Sequence, residues 1–148
     1  MKFIYSYSTF LGNLFLVEEN KNIVYIHTQK PMMDGCIYLE TDLIQLAFYQ
    51  LNDYFQGKRK TFDFPIHMNG TPFQVKVWKA LQNIPYGETR SYQEIANIIG
   101  CHHGSRAVGS ANHRNKLLIV VPCHRIVGSD GSLTGFALGI SLKQQLLE

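Results

Sequence analysis

The sequence lacks any uninterrupted apolar run of about eighteen residues, the length at which a membrane-spanning helix would be expected. Its first segment, MKFIYSYSTF, has tyrosines and serines where a secretory signal peptide has a continuous apolar stretch. It also has only three cysteines, Cys36, Cys101 and Cys123, which are too few for a disulfide framework and are not spaced as paired metal ligands. We therefore expect a soluble cytoplasmic protein with reduced thiols.

Charge of either sign is modest, since the 148 residues carry a net charge of +3. The two halves differ, however: residues 1–71 have six Lys/Arg against seven Asp/Glu, and residues 72–148 have eight against four. The positive excess in the second half permits a polyanionic partner, although a basic face is more often simply solvated. A hydrophobic content of 45% suffices for one core, or for one domain with a smaller one beside it.

The first 62 residues have the pattern of a small α/β domain. Stretches rich in Ile, Val, Tyr and Phe, separated by turn sequences, predict an antiparallel meander with strands at 2–8, 14–18 and 23–27. Residues 41–55 repeat apolar side chains at helical spacing, which predicts one helix laid on the sheet. Residues 63–71 show no period and contain proline and glycine, so we expect a linker there.

Residues 72–148 predict a mostly helical second domain, which makes the fold class α+β. Thr71-Pro72 begins one helix with a capping hydroxyl and a proline at the first helical position. Ser91 and Glu94 form a capping box that begins a second helix, and Gly100 ends it. Ser105 begins a third helix after a short turn, so this winged-helix-like domain has a helix-turn-helix candidate. Many such helical hairpins never contact DNA.

A continuous apolar run, Leu117–Val121, predicts a buried strand that leads into Pro122-Cys123-His124-Arg125. A thiol is a strong nucleophile only as a thiolate, which a neighbouring histidine and positive charge favour. Cys123 is therefore the candidate nucleophile, and a buried structural cysteine is the alternative. Further on, Ile126-Val127 with Asp130-Gly131 predicts a tight hairpin, and residues 141–147 predict a final helix.

Five short motifs over residues 70–148, GTPFQ, SYQ, RAVG, NKL and PCHR, stand in the order and spacing found in O6-alkylguanine-DNA alkyltransferases, which the chain resembles. The resemblance implies DNA repair in which Cys123 attacks the alkyl carbon on guanine O6 and keeps it as a thioether, once per molecule and without a cofactor. O4-alkylthymine is a second substrate class to consider. It further implies a monomer that binds the minor groove of lesion-containing duplex DNA, binds no membrane and, in a prokaryote, associates with the nucleoid.

The resemblance also implies roles for single residues. His124 acts on the thiol through a water, Tyr92 donates a proton to the guanine ring, and Arg106 occupies the space of the flipped-out nucleotide. Asn115 is the hinge between the recognition helix and the active-site strand. Further DNA-binding residues are Ala107, Gly109, Ser110 and Arg125, and Ile126, Phe136 and Ala137 are the implied base pocket. Each of these roles has a structural alternative. Tyr92 could instead be an aromatic packed on the core, Arg106 an ordinary exposed cation, and Asn115 a plain turn asparagine.

The chain departs from the family at two places. Phe136 stands where relatives often have tyrosine, so base stacking could persist while a phenol contact is lost. The family glutamate that orients the histidine stands three residues after a Leu-Leu pair, and Leu146-Leu147-Glu148 offers no matching position. The resemblance therefore does not transfer that role to Glu148.

No metal site is predicted, because five of the six histidines have no cysteine or carboxylate at ligand spacing; these five are His27, His67, His102, His103 and His113. Three other functions compete with repair. A binding-only lesion protein would replace the cysteine, and a transcription regulator would need better base readers than the small residues of the third helix. A thiol hydrolase would need an oxyanion hole.

Overall fold

The computed structural model describes residues 1–32 and 34–128. These divide into two compact units. One comprises the described residues of Met1–Asn69 together with Lys116–Leu118, and the other comprises Gly70–Asn115 and the described residues from Ile119 to Gly128. The first unit holds a sheet and one helix, and the second is mostly helical, so the predicted α+β class is confirmed.

The first unit is built on a four-stranded sheet in the order β3-β2-β1-β4. Its strands are β1 (Lys2–Thr9), β2 (Gly12–Glu19), β3 (Asn22–His27) and β4 (Cys36–Tyr38). The predicted meander is present, and the β2–β3 turn has positive φ at Asn20 (52°) and Lys21 (63°), as a two-residue hairpin turn requires. β4 was not predicted, since three residues are too short to show a period; it pairs parallel with β1.

Helix α1 (Asp42–Phe55) confirms the predicted helix and covers one face of this sheet. The hydroxyl of Thr41 accepts a hydrogen bond from the backbone N–H of Ile44 (3.1 Å), which caps the first turn. The buried face of α1 carries Ile44, Ala47 and Leu51. The other face of the sheet has its own small core of Ile4, Val17 and Val24, against which Cys36 packs.

Two further segments pair with β3. The backbone N–H of Ile23 donates to Pro65 O (2.9 Å), so part of the predicted 63–71 linker lies along the sheet edge. The N–H of Ile26 donates to Lys116 O (2.8 Å), and that of Leu118 donates to Ile26 O (3.0 Å). The predicted continuous strand at 117–121 is therefore wrong. All of the run except Val120 is buried, but it forms a short bridge and then turns at Ile119, where φ is 73°. A continuous apolar run reports burial and not conformation.

The second unit contains the predicted helices as α2 (Pro72–Gln82), α3 (Tyr92–Ile98) and α4 (Ser105–His113). Two short strands, β5 (Arg90–Ser91) and β6 (Ile126–Val127), pair in parallel. The helices pack around a common core whose members are Val77, Trp78, Leu81, Ile95, Ala96, Val108 and Ala111. Trp78 Nε1 donates to Ala111 O (2.8 Å), which satisfies the buried indole and ties α2 to α4.

The helix-turn-helix geometry comes from the turn between α3 and α4. Gly100 has φ +77°, and the N–H of Cys101 donates back to Ala96 O (2.8 Å), as in a helix that ends in the left-handed region. The predicted hairpin at Asp130-Gly131 and the predicted helix at 141–147 lie outside the described residues. Within the described ranges, no helix has the length and apolarity needed to span a membrane.

Candidate active site around Cys123

Cys123 begins a 3-10 turn, Cys123–Arg125, that is held by short backbone hydrogen bonds. Pro122, with φ −79° and ψ 66°, is the centre of an inverse γ-turn, which the Cys123 N–H closes by donating to Val121 O (2.7 Å). The Arg125 N–H then donates to Pro122 O (2.9 Å). Cys123 is 1% exposed, so the thiol sits inside the unit on an ordered backbone.

Asn115 ties the end of α4 to this turn. Its Nδ2 donates to Val121 O (2.8 Å), the same carbonyl that accepts the Cys123 N–H. The Asn115 side chain is buried, where a hydrogen bond is worth most. The structure therefore brings the predicted hinge asparagine to the backbone that carries Cys123.

Tyr92 is the first residue of α3 and follows β5 directly. Because β5 pairs with β6 through Arg90–Ile126 and Ser91–Val127, the start of α3 is fixed relative to the turn that carries Cys123. The predicted capping box holds the same helix end, with Glu94 N–H donating to Ser91 Oγ (3.0 Å) and Ser91 N–H donating to Glu94 Oε1 (2.9 Å). Tyr92 itself is half-buried.

The ring of Tyr92 packs on α4 at Gly109. A Cβ built at Gly109 would lie 3.6 Å from Cε1 of Tyr92, an ordinary contact that leaves no room for a larger side chain. Gly109 was predicted to allow close approach to DNA. What the structure shows is close approach of an aromatic ring from α3.

Helix α4 has an exposed face and a buried face. Arg106, Ala107 and Ser110, all predicted to contact DNA, are on the exposed face. Val108, Ala111 and Asn112 are buried, so the division between solvent and core follows the helical period. The N-cap residue of α4 is Gly104, which has no side chain to accept from the first N–H groups of the helix, and such N–H groups favour an anion.

His124 and Arg125 are both buried. Arg125 is 7% exposed as a residue; its guanidinium donates from Nη1 to Ile84 O (2.8 Å) and lies 5.6 Å from the ring centre of Tyr86. This inward position does not support the predicted DNA contact for Arg125. The resemblance implied a DNA-binding residue, but a carbonyl just beyond the end of α2 needs a donor, and Arg125 supplies it.

Ile126, predicted for the base pocket, is fully buried in β6, while Phe136, Ala137 and Glu148 lie outside the described residues. Among residues 1–32 and 34–128, no group of three or more histidine, cysteine or acidic side chains could hold a metal ion.

Sequence reasoning missed Asn112, which is 2% exposed and whose amide atoms have no hydrogen-bond partner among residues 1–32 and 34–128. Its signal was a polar residue at a core position of the α4 pattern.

Comparison with known proteins covers nearly the whole chain. Residues 72–148 match the family model of the 6-O-methylguanine DNA methyltransferase DNA-binding domain, and residues 3–68 match that of its ribonuclease-like domain. The constitutive methylated-DNA–protein-cysteine methyltransferase of Bacillus subtilis is 44% identical over 144 residues, which is 93% of this chain and 87% of that protein. The protein of the same name from Methanosarcina acetivorans is 43% identical over 143 residues, 93% of this chain and 91% of its own length.

Solved structures give the same result. A crystal structure of Mycobacterium tuberculosis OGT in complex with DNA superposes with a TM-score of 0.91 at 40% identity, covering 98% of this chain and 90% of that one. The O6-methylguanine-DNA methyltransferase of the archaeon Pyrococcus kodakaraensis, at 20% identity and a TM-score of 0.56, shares the fold.

Proposed function

This chain belongs to the 6-O-methylguanine DNA methyltransferase family, and on that premise we propose that Cys123 is the residue that accepts the alkyl group. The chain binds DNA and repairs it by transferring an alkyl group to one of its own cysteines. Cys36 is half-buried on an edge strand and Cys101 is exposed in a turn. Cys123 alone is buried on a backbone turn that Asn115 holds, and this observation carries the assignment.

The chemistry is an in-line displacement. The thiolate sulfur of Cys123 forms a bond to the alkyl carbon while the bond from that carbon to guanine O6 breaks. His124, next in the chain, takes the thiol proton through a water, and Tyr92 donates a proton to the guanine ring as negative charge develops there. The proton gained by His124 then replaces, through solvent, the one that Tyr92 gave up. Overall, the thiol proton is exchanged for the alkyl group, and because the thioether is stable each molecule repairs one lesion.

The burial of Cys123 dictates how the lesion reaches it. A base stacked inside a duplex cannot present its O6 atom to a sulfur that is 1% exposed, so the damaged nucleotide leaves the stack and enters the protein. Arg106 is exposed in the first turn of α4, which supports its proposed role of filling the space left in the duplex. The small exposed residues Ala107 and Ser110 allow close approach to the minor groove. A monomer suffices for this arrangement.

The test is intact-mass spectrometry with peptide mapping after the protein is mixed with a duplex carrying one O6-methylguanine. We expect one methyl group per protein, on the peptide that contains Cys123, with saturation at that level. The variant Cys101→Ser should gain the methyl group as the parent protein does, while Cys123→Ser should gain none. A methyl group on Cys36 or Cys101, or tight lesion binding without any mass gain, would overturn the assignment.

A further inference from the structure

Asn112 is a buried polar residue on the inner face of α4. It is 2% exposed, and neither Nδ2 nor Oδ1 has a hydrogen-bond partner among residues 1–32 and 34–128. Buried amide groups in proteins are almost always hydrogen-bonded, because leaving them unsatisfied opposes folding. A buried amide without a hydrogen-bond partner in the core therefore indicates a hydrogen-bond partner that comes from outside the core.

The position of Asn112 places it next to the proposed chemistry. It lies three residues after Gly109, which the ring of Tyr92 contacts, and three residues before Asn115, whose amide holds Val121 O. Residues three apart on a helix lie on the same side, so Gly109 and Asn112 share one side of α4. Asn115 lies just beyond the end of α4, and its backbone N–H donates to Asn112 O (3.3 Å). Along the chain, Asn112 therefore stands between the residue that the Tyr92 ring contacts and the residue whose amide holds the backbone leading to Cys123.

We propose that the Asn112 carboxamide hydrogen-bonds the extrahelical alkylated purine and is a specificity-determining group of the repair site; this rests on the proposed function. A carboxamide offers N–H donors and a carbonyl acceptor side by side. In an O6-alkylated guanine, N1 has no hydrogen and is an acceptor, and the neighbouring exocyclic 2-amino group is a donor. The amide of Asn112 matches this pair: Nδ2 donates to N1, and Oδ1 accepts from the 2-amino group.

The first arm of the test is stability, measured by urea unfolding of Asn112→Leu, a substitution of similar shape. If the amide is reserved for the base, no hydrogen bond of the protein is lost, and the unfolding midpoint stays the same or rises. Asn52→Leu, on the exposed side of α1, is the matched control. A clear fall in the midpoint for Asn112→Leu alone would show that the amide is satisfied within the chain, and would overturn the proposal.

The second arm is the single-turnover rate of methyl transfer to Cys123, with a duplex carrying O6-methylguanine or O6-methylhypoxanthine, which lacks the 2-amino group. We expect Asn112→Leu to be about tenfold slower on O6-methylguanine. Removing the 2-amino group should slow the parent protein but should not slow Asn112→Leu further. Equal rates for both proteins, or equal further losses on removing the amino group, would reject the contact.

The two arms separate this inference from the proposed function. Methyl transfer by the parent protein, measured in the same experiment, tests the role of Cys123 independently of Asn112. If the parent protein transfers the methyl group and Asn112→Leu transfers it at the same rate, only the role of Asn112 fails. If the parent protein gains no methyl group at all, the proposed function itself fails.

Discussion

Asn115 and Cys123 donate to one and the same carbonyl oxygen, that of Val121, at 2.8 Å from Nδ2 and 2.7 Å from the backbone N–H. The carbonyl uses both of its lone pairs, so the turn that presents the thiol is linked directly to the end of α4. Since the exposed face of α4 is the candidate DNA surface, the element that would bind the duplex also positions the nucleophile.

Asn115→Ala should therefore destabilise the protein and slow repair together. Loss of the side-chain hydrogen bond leaves a buried carbonyl with one donor instead of two, at a cost of about 1–3 kcal/mol in the free energy of unfolding. Urea unfolding and single-turnover methyl transfer measure the two effects. Asn115→Asp should not rescue either one, because a carboxylate has no N–H to donate; full recovery by the aspartate variant would contradict this account.

Gly104→Ala should distort the turn between α3 and α4. A Cβ at Gly104 would lie 2.6 Å from Cys101 Sγ and 3.0 Å from Cys101 O, and the backbone carbonyl cannot move as easily as the thiol. We expect a loss of roughly 1–3 kcal/mol in stability, as for other overpacked sites. Adding Cys101→Ala should recover only part of it, because the contact with the carbonyl remains. The melting temperatures of the single and double variants decide the point, and Gly109→Ala, with ordinary contacts only, is the stability control.

Local signals in the sequence predicted the helices of this fold well. The capping box of Ser91 and Glu94, and the Thr71 cap with Pro72, each act within four residues, so their geometry follows from the sequence alone. The strand β4 and the bridge at Leu117 depend on a partner far away in the chain. No local pattern reports such pairing, so the apolar run 117–121 predicts one strand where the structure has a short bridge and a turn.

The candidate site shows the same division. Cys123, His124 and Tyr92 could be named from motifs, since a motif records which residue types the chemistry needs. The orientation of Arg125 could not be predicted from the motif. The same tetrapeptide is compatible with an arginine that faces the DNA and with one that is buried against a carbonyl oxygen. No motif marks Asn112, and only its burial without a hydrogen-bond partner among the described residues sets it apart from other polar residues of the helices.

The stability of the N-terminal unit should fall at high pH, and Tyr7 should be one cause. Burial, and then a hydrogen bond from its hydroxyl to the Glu40 carboxylate (2.5 Å), raise the pKa of Tyr7 well above the usual value of 10.0. A raised pKa in the folded state gives stability that is full below about pH 10 and is lost as the pH rises through the folded value. Urea unfolding between about pH 9 and 11 should show a smaller loss for Tyr7→Phe, which keeps the ring stacked on Phe48.

The control for Tyr7 is Tyr49→Phe, which removes an exposed phenol from α1 and should follow the parent protein over the same pH range. An identical decline in the parent protein and in Tyr7→Phe would show that other groups account for the alkaline loss. Tyr25, whose pKa burial also raises, would then be the next to replace.

The salt dependence of DNA binding should show that Arg106 contributes to the DNA interface and that Arg125 does not. Arg106 is exposed on α4, so Arg106→Ala should lower affinity for any duplex and reduce the slope of log affinity against log salt by about one. Arg125 is buried on Ile84 O, so Arg125→Ala should leave that slope unchanged and instead lower the free energy of unfolding by about 1.5–3 kcal/mol, since it removes a charged donor. A reduced salt slope for Arg125→Ala, with stability intact, would return Arg125 to the DNA interface.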